Sequence, residues 1–156
     1  MGVELKVGQK APAFSLPRDG GGNVSLAQFK GRKLVIYFYP KADTPGCTRE
    51  SIDFSQLRAE FDKAGTDVLG VSADPVKAQD KFKKKHDLTV GLLSDEAHQM
   101  LEAYGAWGKK SMYGKSFTGV LRSTILIGPD GRIAQIWPKV KVEGHAADVL
   151  KTAKTL

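Results

Sequence analysis

The chain has 156 residues, 41% of them hydrophobic and 26% charged, a balance that predicts one water-soluble domain spanning residues 1–156. It contains no run of about 18 apolar residues, so we expect no membrane partner, and its amino terminus lacks the apolar segment of a secretory signal. The one cysteine cannot form an internal disulfide, which makes the cytoplasm the expected compartment.

The net charge of +7 raises the question of an anionic partner. The densest basic cluster is the lysine-rich segment 81–85, which is favoured as the solvated face of a helix. Zinc-ligand spacing, a glycine-rich phosphate loop and interleaved aromatic and basic residues are all missing from the sequence. We therefore predict no nucleic-acid partner, no bound metal and no cofactor.

The first half of the chain predicts a hairpin, a buried strand and a long helix. The turn signal at 20–23 separates residues 13–17 from residues 24–26, which predicts an amino-terminal hairpin. Residues 34–39 are continuously apolar, as in a central strand that is covered on both faces. A helix is then expected over about 45–64.

The second half continues the alternation of strands and helices. The predicted strands are 68–72, 91–94, 121–127 and 132–137, and the predicted helices begin near 74, 96 and 145. Residues 105–119 are expected to form a loop. The turn at 128–131 predicts a closing hairpin, and the whole pattern predicts a three-layer α/β fold with a central mixed sheet.

Cys47 is the most informative residue because it lies just inside the start of the helix predicted from Pro45. Thr44 is expected to cap this helix with its hydroxyl group, and Pro45 suits the first helical position. Unpaired N–H groups and the helix dipole favour an anion there, and the thiolate is the nucleophilic form of cysteine. A buried structural cysteine is the alternative. The surrounding Thr, Pro and Gly residues favour a reactive one.

Arg122 interrupts a segment that otherwise looks like an interior strand. Its charge cannot be removed by deprotonation, so burial would require an anionic partner such as a thiolate. An edge strand whose arginine reaches water is the alternative. The sequence leaves both interpretations open.

The spacing Pro40-x-x-x-Thr44-x-x-Cys47 resembles the active-site motif of the peroxiredoxins, which are thiol peroxidases with a thioredoxin-like fold. Residues 38–48 and the segment Arg122-Ser123-Thr124 look most like the bacterioferritin-comigratory protein, or peroxiredoxin Q, subfamily. Residues 8–14 and 112–115 are similar to other parts of that subfamily, so the resemblance covers nearly the whole chain.

The resemblance implies that Cys47 reduces hydrogen peroxide and organic hydroperoxides and becomes a sulfenic acid. It also implies that Thr44 and Arg122 orient the peroxide and stabilise the thiolate, and that Pro40 shields the sulfur. Gly46 and Glu50 are possible supporting residues. The resemblance gives Glu50 a structural or proton-relay role. The alternative is that it is simply an acid favoured by the helix dipole in the first turns of a helix.

The chain departs from the subfamily at the second, resolving cysteine. Ile52 occupies one position where relatives carry it, and Lys83 occupies the other by approximate alignment. An external thiol is therefore expected to reduce Cys47, with thioredoxin, glutaredoxin or a small thiol as candidates. The resemblance also suggests a monomer.

Two other functions compete with the peroxidase interpretation. A thioredoxin-fold thiol exchanger usually needs Cys-x-x-Cys, and Thr44 stands where the first of those cysteines would be. A basic scaffold protein would not need the peroxidase motif. The three histidines, His86, His98 and His145, are expected to be surface or capping residues.

Overall fold

The computed structural model describes residues 5–156 and consists of alternating strands and helices. The strands are β1 (Ser15–Pro17), β2 (Asn23–Ser25), β3 (Lys33–Phe38), β4 (Thr66–Ser72), β5 (Gly91–Ser94), β6 (Trp107–Met112), β7 (Lys115–Val120), β8 (Ser123–Ile127) and β9 (Ile133–Trp137). The α-helices are α1 (Pro45–Gln56), α2 (Arg58–Lys63), α3 (Val76–His86), α4 (Gln99–Ala103) and α5 (His145–Lys154). A short 3-10 helix covers Leu26–Phe29.

Five strands form a mixed sheet in the order β5-β4-β3-β8-β9. The first three are parallel to one another, whereas β8 and β9 are antiparallel to their neighbours. Phe38 at the end of β3 lies opposite Ser123 at the start of β8. This register brings the loop after β3 close to Arg122.

The central strand β3 contributes alternate side chains to two hydrophobic clusters. Leu34, Ile36 and Phe38 pack into one cluster, whereas Val35 and Tyr37 pack into the other. One cluster contains residues of the amino-terminal hairpin, α4 and β7, and the other contains residues of α1, α2, α3 and α5. The predicted three-layer α/β fold with a mixed sheet and an amino-terminal hairpin is confirmed.

The helix expected over 45–64 is interrupted at Leu57. The ψ angle of Leu57 is 1°, outside the helical range, and α2 begins at the next residue. Phe54 and Phe61, on either side of the break, are both fully buried. Neither glycine nor proline marks the break, so the sequence pattern did not reveal it.

Residues 105–119 are not a loop, because β6 and β7 pair as an antiparallel hairpin. Tyr113 and Gly114 at its tip both have positive φ, as two-residue hairpin turns require. Residues 115–118 are exposed, so this ribbon lacks the apolar alternation by which strands are recognised. Across residues 5–156, no helix is both long and apolar enough to cross a membrane.

Candidate active site

Cys47 lies at the end of the sheet where β3 stops and α1 begins. It is the third residue of α1 and is completely buried. The N–H groups of Gly46 and Cys47 fall in the first turn, where backbone donors have no acceptor within the helix. The predicted position at a helix start is confirmed, and the local backbone favours a negative charge on the sulfur.

Arg122 contacts the sulfur directly. Its Nη2 atom donates a hydrogen bond to Cys47 Sγ over 3.2 Å, and its side chain is 21% exposed. The residue precedes β8, which lies between β3 and β9 rather than at the sheet edge. Of the two interpretations of Arg122, the structure therefore supports pairing with the thiol.

Glu50 is the second partner of this guanidinium. Arg122 Nη1 donates to Glu50 Oε1 over 2.7 Å, and the glutamate is only 1% exposed. Burial raises the pKa of Glu50 to about 7, although Arg122 acts in the opposite direction. The other carboxylate oxygen, Oε2, has no hydrogen-bond partner among the described residues. Glu50 is thus a buried acid that titrates near neutrality, not a solvated acid at the helix start.

The charge on Arg122 is divided between two anions. Burial lowers the pKa of Arg122, but the thiolate of Cys47 and the carboxylate of Glu50 outweigh burial and raise it. Ionised Glu50 therefore competes with the thiolate for the same guanidinium.

Gly46 provides the space that this arrangement needs. A Cβ atom at position 46 would lie 3.1 Å from Arg122 Nη2, closer than nearly all real Cβ contacts. Because Arg122 Nη1 is bonded to Glu50 and Nη2 to Cys47, the arginine has little freedom to move away. The absence of a side chain at Gly46 lets Arg122 reach the sulfur.

Thr44 does not cap α1, contrary to the sequence prediction. Its backbone is in the N-cap position, but its hydroxyl donates to the carbonyl oxygen of Lys41 over 2.7 Å. The first-turn N–H groups therefore remain available to the site. Because the hydroxyl proton points to Lys41, the Thr44 oxygen presents lone pairs that can accept a hydrogen bond.

Lys110 of β6 is a second cation that interacts electrostatically with Cys47, which the sequence did not indicate. Its Nζ atom donates to the carbonyl oxygen of Val120 over 2.8 Å. Burial and the nearby Arg122 lower the pKa of Lys110, whereas the Cys47 thiolate acts against this change. The β6–β7 hairpin thus adds positive charge to the site.

His145 is buried, so its predicted surface or capping role is wrong. Its Nε2 atom lies 2.7 Å from Thr124 Oγ1, and burial lowers the pKa of His145 to about 4. The fold packs α5 against the sheet, so that His145 contacts Thr124 of β8, and local sequence cannot show this contact. His98 takes the N-cap position of α4, and His86 pairs with Asp43.

The other candidate positions lie as follows. Pro40 is half-buried in the loop after β3. Ile52 is half-buried against one hydrophobic cluster, and Lys83 donates to Asp19 over 2.8 Å. Within residues 5–156, no group of three or more His, Cys, Asp or Glu side chains could hold a metal ion.

Residues 7–136 match the model of the AhpC/TSA family. A protein of Coxiella burnetii named putative peroxiredoxin bcp is 48% identical, and the alignment covers 95% of this chain and 98% of that protein. Peroxiredoxin Bcp of Bacillus subtilis is 43% identical over 99% of this chain and 98% of its own.

Solved structures are similar over most of the chain. Peroxiredoxin Q of Xanthomonas campestris superposes with a TM-score of 0.87 and is 46% identical, with 91% of this chain and 90% of that one covered. A mutant of Xylella fastidiosa PrxQ gives a TM-score of 0.93 at 37% identity, covering 99% and 98% of the two chains. Structures of the Xanthomonas protein with a trapped intermediate and ligand concern its alkyl peroxide reduction activity.

Proposed function

Because the chain belongs to the AhpC/TSA family and, within it, to the Bcp peroxiredoxins, we propose that it is a thiol peroxidase that reduces hydrogen peroxide and organic hydroperoxides at Cys47. The observation that carries the assignment of the site is the 3.2 Å hydrogen bond from Arg122 to a fully buried sulfur at a helix start.

The reaction is an in-line displacement on oxygen. The Cys47 thiolate attacks the terminal oxygen of the peroxide, an S–O bond forms and the O–O bond breaks. The departing oxygen leaves with the electron pair and takes up a proton to become water or an alcohol, while the cysteine becomes a sulfenic acid. Arg122 and the first-turn N–H groups of α1 stabilise the developing charge.

Thr44 and Pro40 complete the proposed site. The lone pairs of the Thr44 oxygen accept a hydrogen bond from the O–H of a hydroperoxide, which orients the O–O bond towards the sulfur. Pro40, half-buried beside the loop, limits the access of water.

The sulfenic acid is reduced by an external thiol, since the sequence has no second cysteine. The thiol displaces the hydroxyl group as water and forms a mixed disulfide, and a second thiol then releases Cys47. Thioredoxin, glutaredoxin and small thiols are the candidate reductants. We further propose that one domain spans residues 1–156 and acts as a monomer in the cytoplasm, without a nucleic-acid partner.

Peroxide consumption with dithiothreitol as reductant tests the function. We expect the wild-type protein to consume peroxide and Cys47→Ser to be inactive. Mass spectrometry after one equivalent of peroxide should detect a sulfenic acid or a thiol adduct at Cys47. Wild-type protein that consumes peroxide no faster than a small thiol peptide would refute the proposal and favour a thiol exchanger or a scaffold.

A further inference from the structure

The segment of residues 40–44, called here the active-site loop, carries Pro40 and Thr44 into the site. We propose that Asp43 and Asp74 are positioning residues that hold the active-site loop in its place before Cys47, with α3 and the end of β4 as the fixed support. This inference rests on the proposed function, because it assigns opposite effects to the two aspartates in the two halves of the peroxidase cycle.

Asp74 ties the middle of the loop to the end of β4. Its Oδ2 atom accepts hydrogen bonds from the backbone N–H of Ala42 over 2.8 Å and from the Ser72 hydroxyl over 2.7 Å. Ser72 in turn accepts a hydrogen bond from Gln79 Nε2 over 2.9 Å. The Asp74 carboxylate therefore joins Ala42 of the active-site loop to Ser72, which lies outside the loop.

Gln79 extends this network into the core. It is fully buried, and its amide donates to the carbonyl oxygen of Leu93 over 2.8 Å. Its own oxygen accepts a hydrogen bond from the hydroxyl of Tyr39, the residue directly before the loop. Buried and mutually satisfied polar groups of this kind fix one local arrangement. The start of the loop and its middle are thus fixed by the same network.

Asp43 ties the far end of the loop to the last turn of α3. One carboxylate oxygen contacts Lys85 Nζ and the other contacts His86 Nε2, each over 2.8 Å. The φ angle of Asp43 is 61°, a left-handed conformation that a non-glycine residue adopts at some cost. The two contacts help to hold the residue in that conformation. The side chain of Asp43 is 44% exposed, so its contribution should be smaller than that of Asp74.

The two halves of the cycle make different demands on this loop. Attack on peroxide requires Thr44 to stay in place relative to the sulfur, which favours a closed loop. Reduction of the sulfenic acid requires contact between an external thiol and Cys47, which is 0% exposed in this structure. Loosening the loop should therefore slow oxidation and speed reduction.

The test uses Asp74→Ala and Asp43→Asn, with Asp62→Asn as a matched control. Asparagine tolerates the left-handed conformation at position 43, so that variant keeps the backbone while it removes the charge and one of the two acceptor oxygens. Asp62 is, like Asp43, an exposed aspartate in an ion pair. Its partner is Arg32 at 3.0 Å, and it lies in α2 rather than in the active-site loop. The first readout is the rate constant for oxidation of Cys47 by peroxide. The second is the rate at which the sulfenic acid reacts with thionitrobenzoate.

We expect Asp74→Ala to lower the oxidation rate constant about tenfold and to raise the thionitrobenzoate rate about as much, because it leaves two donors without an acceptor. Asp43→Asn should change both rates in the same directions by about two- to fivefold. Asp74→Asn keeps an acceptor oxygen and should restore most of the wild-type behaviour. Asp62→Asn should change neither rate.

Rates of Asp74→Ala that are unchanged, or that fall together, would overturn the proposal, since a damaged site slows both steps. Thermal unfolding of each variant separates loop opening from global destabilisation. The labelling rate of reduced Cys47 by the disulfide of thionitrobenzoate reports opening without any peroxide. An inactive wild-type protein would thus refute the peroxidase function, and unchanged labelling would separately refute the positioning role.

Discussion

Replacement of Arg122 by alanine removes the cation on which the proposed chemistry depends. At 3.2 Å, and with an effective dielectric constant of about 20, a unit positive charge stabilises the thiolate by about 5 kcal/mol. The actual stabilisation of the thiolate is smaller, because Arg122 also pairs with Glu50 and its side chain is 21% exposed. The loss of one preorganised donor typically lowers turnover about 100- to 1,000-fold, and we expect Arg122→Ala to fall in that range.

The assay is competition for peroxide between the variant and a haem peroxidase, which gives the second-order rate constant of Cys47 directly. Arg122→Lys keeps the charge but replaces the planar pair of nitrogens that contact Glu50 and the sulfur with a single nitrogen, so it should recover only part of the rate. Arg49→Ala is the control, because Arg49 lies in α1 near Cys47 but is 65% exposed and pairs with Asp53. An Arg122→Ala rate constant within about threefold of wild type would refute the reasoning.

Three further predictions concern neighbouring residues. Glu50→Gln should remove a step near pH 7 from the pH dependence of Cys47 alkylation, because the carboxylate that competes for Arg122 and titrates there is gone. Gly46→Ala should lower the peroxide rate constant about tenfold by displacing Arg122. The pKa of His145 is lowered from 6.5 to about 4, so the folded state binds this proton less tightly and loses stability as the pH falls through that range. His145→Gln should abolish a loss of up to about 3 kcal/mol in urea unfolding between those pH values. A pH profile of Glu50→Gln that equals that of the wild type would contradict the first prediction, and a normal peroxide rate constant of Gly46→Ala would contradict the second. The third would be contradicted if His145→Gln lost as much stability in acid as the wild type.

The fold was predictable where burial imposes a clear pattern. The continuous apolar run of β3 indicated a strand covered on both faces, and it is the centre of the sheet. The β6–β7 hairpin was missed because residues 115–118 face solvent, so no burial pattern forms. The break at Leu57 was missed because no glycine or proline marks it in the sequence.

The site was predictable where chemistry needs a particular residue at a particular spacing. Cys47 and its helix start follow from one segment of sequence, whereas the contact with Arg122 spans 75 positions and requires the register of β8 against β3. The burial of His145 and the contacts of Asp74 are of the same long-range kind. Each residue type is common on protein surfaces, so nothing local distinguishes it before the chain folds.

The complete burial of Cys47 links the missing second cysteine to the positioning aspartates. A cysteine within the same chain could meet the sulfenic acid without any partner, but this sequence supplies none. The reducing thiol must come from outside, and it is much larger than hydrogen peroxide. A loop held by Asp74 and Asp43 therefore keeps Thr44 aligned for oxidation, and it must open before the larger reductant reaches the sulfur. The same contacts that align Thr44 for the first step set the access of the thiol in the second.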